Sequence, residues 1–298
     1  MRSEDPTEAP TDGSNEAPRE ALPKDEGGQS RAGRNLPAAI AVGVGLVVMV
    51  IVTLFVVKDV FVAVVAIALG VGLWELTRAF ANADIHIPFI PVLTGGTIML
   101  ASSFYGGMET AAVAMALTVI ATLVWRLSEG ADGFVRDSSA GMFSLSYLFL
   151  MGAFVLLMLA ESDGPWRVVA FIVATIASDI GGYAAGVLLG KHPMAPTISP
   201  KKSWEGFAGS LVTGVIAGVL TVTYALEGDW WAGVLLGVAG VVMATLGDLS
   251  ESLIKRDLGI KDMGDLLPGH GGLMDRLDSL IAVAPVAWVI LHYLVPVA

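Results

Sequence analysis

Runs of about twenty apolar residues recur along this chain, and that length is what a helix needs to cross the hydrocarbon core of a bilayer. Inside such a core every backbone N–H and C=O must find its partner within the protein, so the runs are constrained to be helices. They predict nine spans, near 36–57, 60–80, 87–105, 109–127, 140–160, 166–190, 207–226, 230–252 and 277–297. Pro88, Pro91 and the Gly95-Gly96 pair are the places where the early spans could break or re-enter. Only 15% of residues are charged, against roughly 25% in a soluble domain. The expected fold is an all-α polytopic membrane protein of about nine transmembrane helices.

Residues 1–35 differ in kind. They are rich in Glu, Asp, Pro, Gly and Ser and lack aromatics, so they cannot bury enough apolar surface to offset the entropy of ordering. A disordered acidic tail is expected there, with N-terminal transmembrane helices over 36–165 and a C-terminal transmembrane region over 166–298 whose loops carry most of that region's charge. Cysteine is absent, which excludes disulfides and thiolate metal sites. If the nine spans are right, fifteen of the 17 Lys and Arg lie on the side of the tail, all but Lys58 and Arg167. The positive-inside rule then puts the N-terminus in the cytoplasm and the C-terminus outside.

Ionisable groups inside spans are costly and mark functional positions by default. Glu75, Asp179 and Asp248 are the clear cases. Arg78, three residues after Glu75, offers it an ordinary neighbour on the helix surface. Asp179, in ASDIGGYAAG, has no cationic neighbour within a turn. The loop GKHPMAPTISPKKSWEG at 190–206 carries Lys191, His192, Lys201 and Lys202, which alone is what a membrane anchor looks like. A second cationic set, Lys255, Arg256 and Lys261, falls in the next loop on the same predicted side, so the two loops can clamp a polyphosphate.

Asp248 and Glu251 are one helical turn apart, as are Asp275 and Asp278, so each pair can project to one side. Carboxylates from two helix ends are the hard oxygen ligands Mg²⁺ takes when it also carries substrate phosphates. Neutralisation by Lys255 and Arg276 is the plain alternative. PGHGG, 268–272, lets the backbone approach a ligand and offer N–H groups to an anion. His270 within it has the side chain suited to moving a proton near neutral pH.

The run of Ser252, Lys255-Arg256, Lys261-Asp262, Gly264, Leu267-Pro268, His270-Gly271-Gly272, Asp275-Arg276 and Asp278 resembles the signature of the CDP-diacylglycerol synthases, or phosphatidate cytidylyltransferases, without a mismatch. The resemblance extends to Ser178-Asp179, to SPKKSWEG at 199–206 and to Gly247-Asp248-Leu249. Ser203 stands where the family usually has Thr, and keeps the hydroxyl. The resemblance implies transfer of a cytidylyl group from CTP to phosphatidate, at a plasma-membrane site facing the cytoplasm. It implies Asp248, Asp275, Lys202 and His270 as catalytic residues, and Asp248, Asp275 and Asp278 as holders of Mg²⁺, with a second cation left open. Asp179, Lys201, Ser203, Glu205, Lys255, Arg256, Lys261, Gly271, Gly272 and Arg276 would then bind substrates. The family further suggests a homodimer in the lipid bilayer, and no nucleic-acid partner is expected.

Two other functions stay open at this point. The signature speaks to nucleotide and metal more than to acyl chains, which leaves a cytidylyltransferase or CTP-dependent kinase for another membrane lipid. An ion-coupled transporter would use Glu75, Asp179 and Asp248 as a path near the bilayer midplane, whereas the charge of this chain gathers at one surface.

Overall fold

The computed structural model describes residues 36–264 and 272–297, and these are helical almost throughout. The tail over 1–35 and the positions of His270 and Gly271 lie outside the described residues. Helices α1 (Leu36–Val56), α2 (Lys58–Ala81) and α3 (Phe89–Leu127) come first. Then α4 (Phe134–Ser144) continues through a π-helical turn, Leu145–Leu150, into α5 (Met151–Ala160). The C-terminal set is α6 (Gly164–Leu189), α7 (Trp204–Ala225), α8 (Trp230–Asp257) and α9 (Met274–Leu294). Among the described residues seven helical stretches from Lys58 onward are long and apolar enough to cross a membrane. A short antiparallel hairpin, β1 (Pro193–Ala195) with β2 (Ser199–Ser203), interrupts the helices in the loop before α7.

The third and fourth expected spans emerge as one 39-residue element, α3. At Gly107 the backbone adopts φ 75°, ψ −167°, a region essentially reserved for glycine. The chain folds back there. Thr110 Oγ1 donates to Ser102 O at 2.8 Å, and a Cβ on Gly95 would strike the side chain of Thr118. Along a straight helix those two residues would stand about 35 Å apart; instead the halves run antiparallel. Pro88 precedes the first turn of α3 and does not break it. The Gly95-Gly96 pair stays helical and makes room, Gly95 for Thr118 and Gly96 for Phe149.

The core runs between α2, α3, the π-helical turn, α5 and α9, around Leu73, Leu76, Met99, Leu148 and Phe149, which are fully buried. In the C-terminal set, α6 and α7 approach closely at Gly181 and Gly209, where a Cβ would collide with the opposing helix. Hydroxyls join them: Ser210 Oγ donates to Ser178 O at 2.8 Å and Thr213 Oγ1 to Ala177 O at 2.7 Å. Small residues and interhelical hydroxyl bonds are how helices associate where lipid removes the hydrophobic drive.

Lys58 and Arg167 are tied to helix ends. Lys58 Nζ donates to Leu159 O at 3.2 Å and Glu161 O at 2.9 Å, the end of α5. Arg167, 1% exposed, donates to Leu291 O, to Val295 O at 3.1 Å and to Pro296 O at 3.3 Å, the end of α9. Both cations satisfy terminal carbonyls that have no intrahelical partner.

Candidate functional site

Lys202 is the penultimate residue of β2, just before α7, and Ser203 caps that helix by accepting from Gly206 N at 3.1 Å. The cap fixes the direction in which Lys202 leaves the hairpin. Its ammonium group meets Asp248 Oδ2 at 2.5 Å, close to the last turns of α8. Asp248 Oδ1 accepts from Ser279 Oγ of α9 at 2.6 Å. Lys255, two turns further along α8, donates to Glu251 Oε2 at 2.9 Å and to Asp275 Oδ1 at 2.8 Å. Asp275 also accepts from Gly272 N at 2.9 Å and Met263 N at 3.3 Å. Asp278 lies in side-chain contact with both Asp248 and Glu251. The outcome is a band of four carboxylates laced by two lysines across the ends of α8 and α9.

This band forms one wall of a cavity of about 780 Å³ between α6, the β hairpin, α7, α8 and α9. Asp179 lines it from α6, within electrostatic range of Asp248 and Lys202. The structure therefore brings Asp179, Lys201, Lys202, Ser203, Asp248, Lys255, Asp275, Arg276 and Asp278 to one space. Glu205, Arg256, Lys261 and Gly272 lie outside its wall. Glu205 binds the loop instead, accepting from Lys191 N at 3.1 Å and His192 N at 3.2 Å, with its other oxygen 2.5 Å from His192 Nδ1. Arg256 and Lys261 are exposed at the end of α8 and beyond it.

Ser279 was not singled out from the sequence, although it sits beside Asp278 in the charged run, and a hydroxyl next to a carboxylate pair is a usable signal. Glu75 is a correction. Arg78 does not pair with it, lying instead over the Trp74 ring at 4.8 Å, while the Glu75 carboxylate receives Leu273 N and Met274 N at the start of α9.

Among the described residues no three His, Asp or Glu side chains stand as a ready-made metal-ligand set. The chemistry of the wall nevertheless suits a hard cation. Glu251 Oε1 is buried with no hydrogen-bond partner, and carboxylate oxygens from two helices converge beside it, the donor type that divalent cations of this class take.

A predominantly helical polytopic protein that collects lysines and carboxylates into one cavity at the ends of its spans is built to hold a phosphorylated ligand at a membrane face. Comparison narrows that class. Residues 37–294 match the profile of the Cytidylyltransferase family, and the chain belongs to it. It is 42% identical to a phosphatidate cytidylyltransferase of Mycobacterium leprae over 99% of this chain and 100% of that one. A protein of the same name from Mycobacterium bovis is 45% identical over 89% of this chain and 91% of its own. One from Helicobacter pylori is 30% identical over 84% and 90%.

Proposed function

We propose that this chain is a phosphatidate cytidylyltransferase, joining CTP and phosphatidate into CDP-diacylglycerol with release of diphosphate. The observation that carries the reading is the single cavity in which Lys202–Asp248 and Lys255–Asp275 stand together beside Glu251 and Asp278. Its volume lies in the range of small-molecule sites. Tyr183 and Val187 of α6 line the same cavity yet are 76% and 66% exposed, which gives acyl chains an apolar approach from the bilayer.

In this reading Lys202, Lys201, Lys255 and Arg276 bind phosphate oxygens of the nucleotide and the lipid. The lipid phosphate is already ionised at neutral pH, so attack on the α-phosphorus of CTP asks for alignment and charge neutralisation more than for a base. Asp248, Asp275 and Asp278 would hold Mg²⁺, with Glu251 beside them. Mg²⁺ would neutralise phosphate charge. Lys202 pairs with Asp248, and Lys255 with Glu251 and Asp275. Ser279 orients Asp248, and the backbone N–H groups of Gly272 and Met263 orient Asp275.

The topology belongs to the same proposal. The antiparallel halves of α3 count as two crossings and α1 as one, giving nine with the C-terminus at the end opposite the cavity. The Lys and Arg bias then turns the cavity toward the cytoplasm, where CTP is found, with the plasma membrane as its location.

Purified protein in nanodiscs, given radiolabelled CTP, Mg²⁺ and a panel of lipid phosphates, should yield CDP-diacylglycerol and diphosphate from phosphatidate. Labelled product only from another lipid phosphate would move the assignment to that lipid, and no labelled product from any would end it.

A further inference from the structure

We infer that Glu75, in the N-terminal half of the chain, is a positioning residue for the carboxylate wall: it holds the first turn of α9 so that Asp275 faces the cavity. The inference rests on the proposed reaction only for its kinetic readout.

Glu75 is a charged residue inside a spanning helix and only 1% exposed. Its Oε1 accepts from Leu273 N at 3.0 Å and its Oε2 from Met274 N at 2.8 Å. These are among the first N–H groups of α9, which no intrahelical carbonyl can reach, and a carboxylate there is favoured by the helix dipole. Nothing from α9's own sequence supplies this cap: Leu273, the residue in the N-cap position, offers no side-chain bond. The cap arrives from nearly two hundred residues away.

The fit around it is tight. A Cβ on Gly264 would collide with Glu75 Oε1, and one on Gly272 would come within 2.9 Å of Glu75 Oε2 and 3.0 Å of Asp275 Oδ2. The backbone at 272 is thus held between two carboxylates. Glu75 bonds the N–H groups that follow it, and Gly272 N donates to Asp275 at 2.9 Å. Moving Glu75 moves Asp275, and with it the partner of Lys255. A second consequence concerns anions. The N–H groups that would make the start of α9 attractive to a phosphate are already spent on Glu75, which leaves phosphate binding to the lysines across the cavity.

Glu75→Gln keeps the shape but replaces one acceptor oxygen with an NH₂ that faces an N–H. In the full-length protein in nanodiscs, hydrogen exchange of the amides at 273–274 should accelerate about tenfold, the effect of one lost hydrogen bond, with peptides from the middle of α7 unchanged. Steady-state CDP-diacylglycerol formation should show kcat lowered about 10²-fold, as for a misplaced reacting group, a raised Mg²⁺ requirement and a KM for CTP close to wild type. Glu75→Asp, which keeps the charge, should recover part of the rate. Gly272→Ala should reproduce the Glu75→Gln defect and serves in its place if that variant does not fold. Faster exchange with unchanged kcat and Mg²⁺ dependence would overturn the positioning role, leaving a cap only. Unchanged exchange would overturn the cap. If the wild type itself makes no CDP-diacylglycerol, the proposed reaction fails while the exchange measurement still decides whether Glu75 holds α9.

Discussion

Replacing Asp248 with Asn separates charge from shape. Asp248 receives Lys202 at 2.5 Å on one oxygen and Ser279 at 2.6 Å on the other. The amide fills the same space, presents its carbonyl oxygen to Lys202 and turns its NH₂ to Ser279, whose hydroxyl can accept as well as donate. What the fold loses is the charge on one ion pair whose side chains are 23% and 31% exposed, worth about 1 kcal/mol or less. What the reaction loses is one of the carboxylates that would hold the Mg²⁺ neutralising phosphate charge. Removing one such preorganised group costs about 10²–10³-fold in kcat, or about 2.7–4 kcal/mol. The two effects differ enough to be measured apart. Thermal unfolding in nanodiscs should barely move, while CDP-diacylglycerol formation followed with labelled CTP across a Mg²⁺ series should fall by at least about 10²-fold. Turnover within about threefold of wild type, under 1 kcal/mol of barrier, with the same Mg²⁺ dependence would refute the placing of Asp248 among the reacting groups. A collapse in melting temperature would refute the space-filling argument. Asp275→Asn should behave differently, because three donors converge on Asp275 and the NH₂ must face one of them; its activity loss should come with a stability loss of about 1–3 kcal/mol.

The remaining predictions are briefer. Lys202→Gln should lower kcat/KM far more than Lys191→Gln, since Lys202 lines the cavity and Lys191 does not; equal losses would make the loop a generic charge patch. Arg167→Gln should lower the melting temperature, with about 3–5 kcal/mol of stability lost, because it strands the buried Asp163 carboxylate that Arg167 pairs with at 2.6 Å and the terminal carbonyls of α9, with activity per folded molecule near wild type. The chain has no cysteine, so single cysteines can be added without removing any. One at Gly130 should react with a membrane-impermeant maleimide only from the cytoplasmic side, and one at Gly228 only from outside; the reverse pattern would invert the topology.

The seven described stretches long enough to cross a membrane were legible because bilayer thickness sets the length of an apolar run, and the gathering of Asp248, Glu251, Asp275 and Asp278 was legible because they come in pairs one helical turn apart. The fold-back in α3 was only half visible. Two runs of suitable length predict two crossings, but nothing in a hydropathy pattern says that Gly107 turns the chain at φ 75° without a separate loop. Glu75 was misjudged for a related reason. Local spacing offers Arg78 as a neighbour, whereas its actual partners, Leu273 N and Met274 N, are distant in the chain and are backbone groups that carry no sequence signal. Glu205 shows the limit of resemblance: membership in SPKKSWEG suggested contact with substrate, and the carboxylate is spent on Lys191 and His192.

Glu75 and Arg167 together explain why α9 can carry the wall. A helix dipole favours negative charge at its start and positive charge at its end. Glu75 from α2 supplies the first and Arg167 from α6 the second, each 1% exposed and each bonded directly to terminal backbone groups of α9. Buried charges without partners would be among the most expensive groups a membrane protein can hold; placed here, Glu75 takes the orphan N–H groups at one end of α9, and Arg167 takes the carbonyls at the other end together with Asp163 at 2.6 Å. The helix so held presents Asp275, Asp278 and Ser279 to Lys255, Glu251 and Asp248 of α8. A lost charge at the Arg167 end leaves those side chains anchored by Glu75 at their own end. One lost at the Glu75 end frees the turn that bears Asp275, so of the two buried charges Glu75 should be the one whose loss reaches the chemistry.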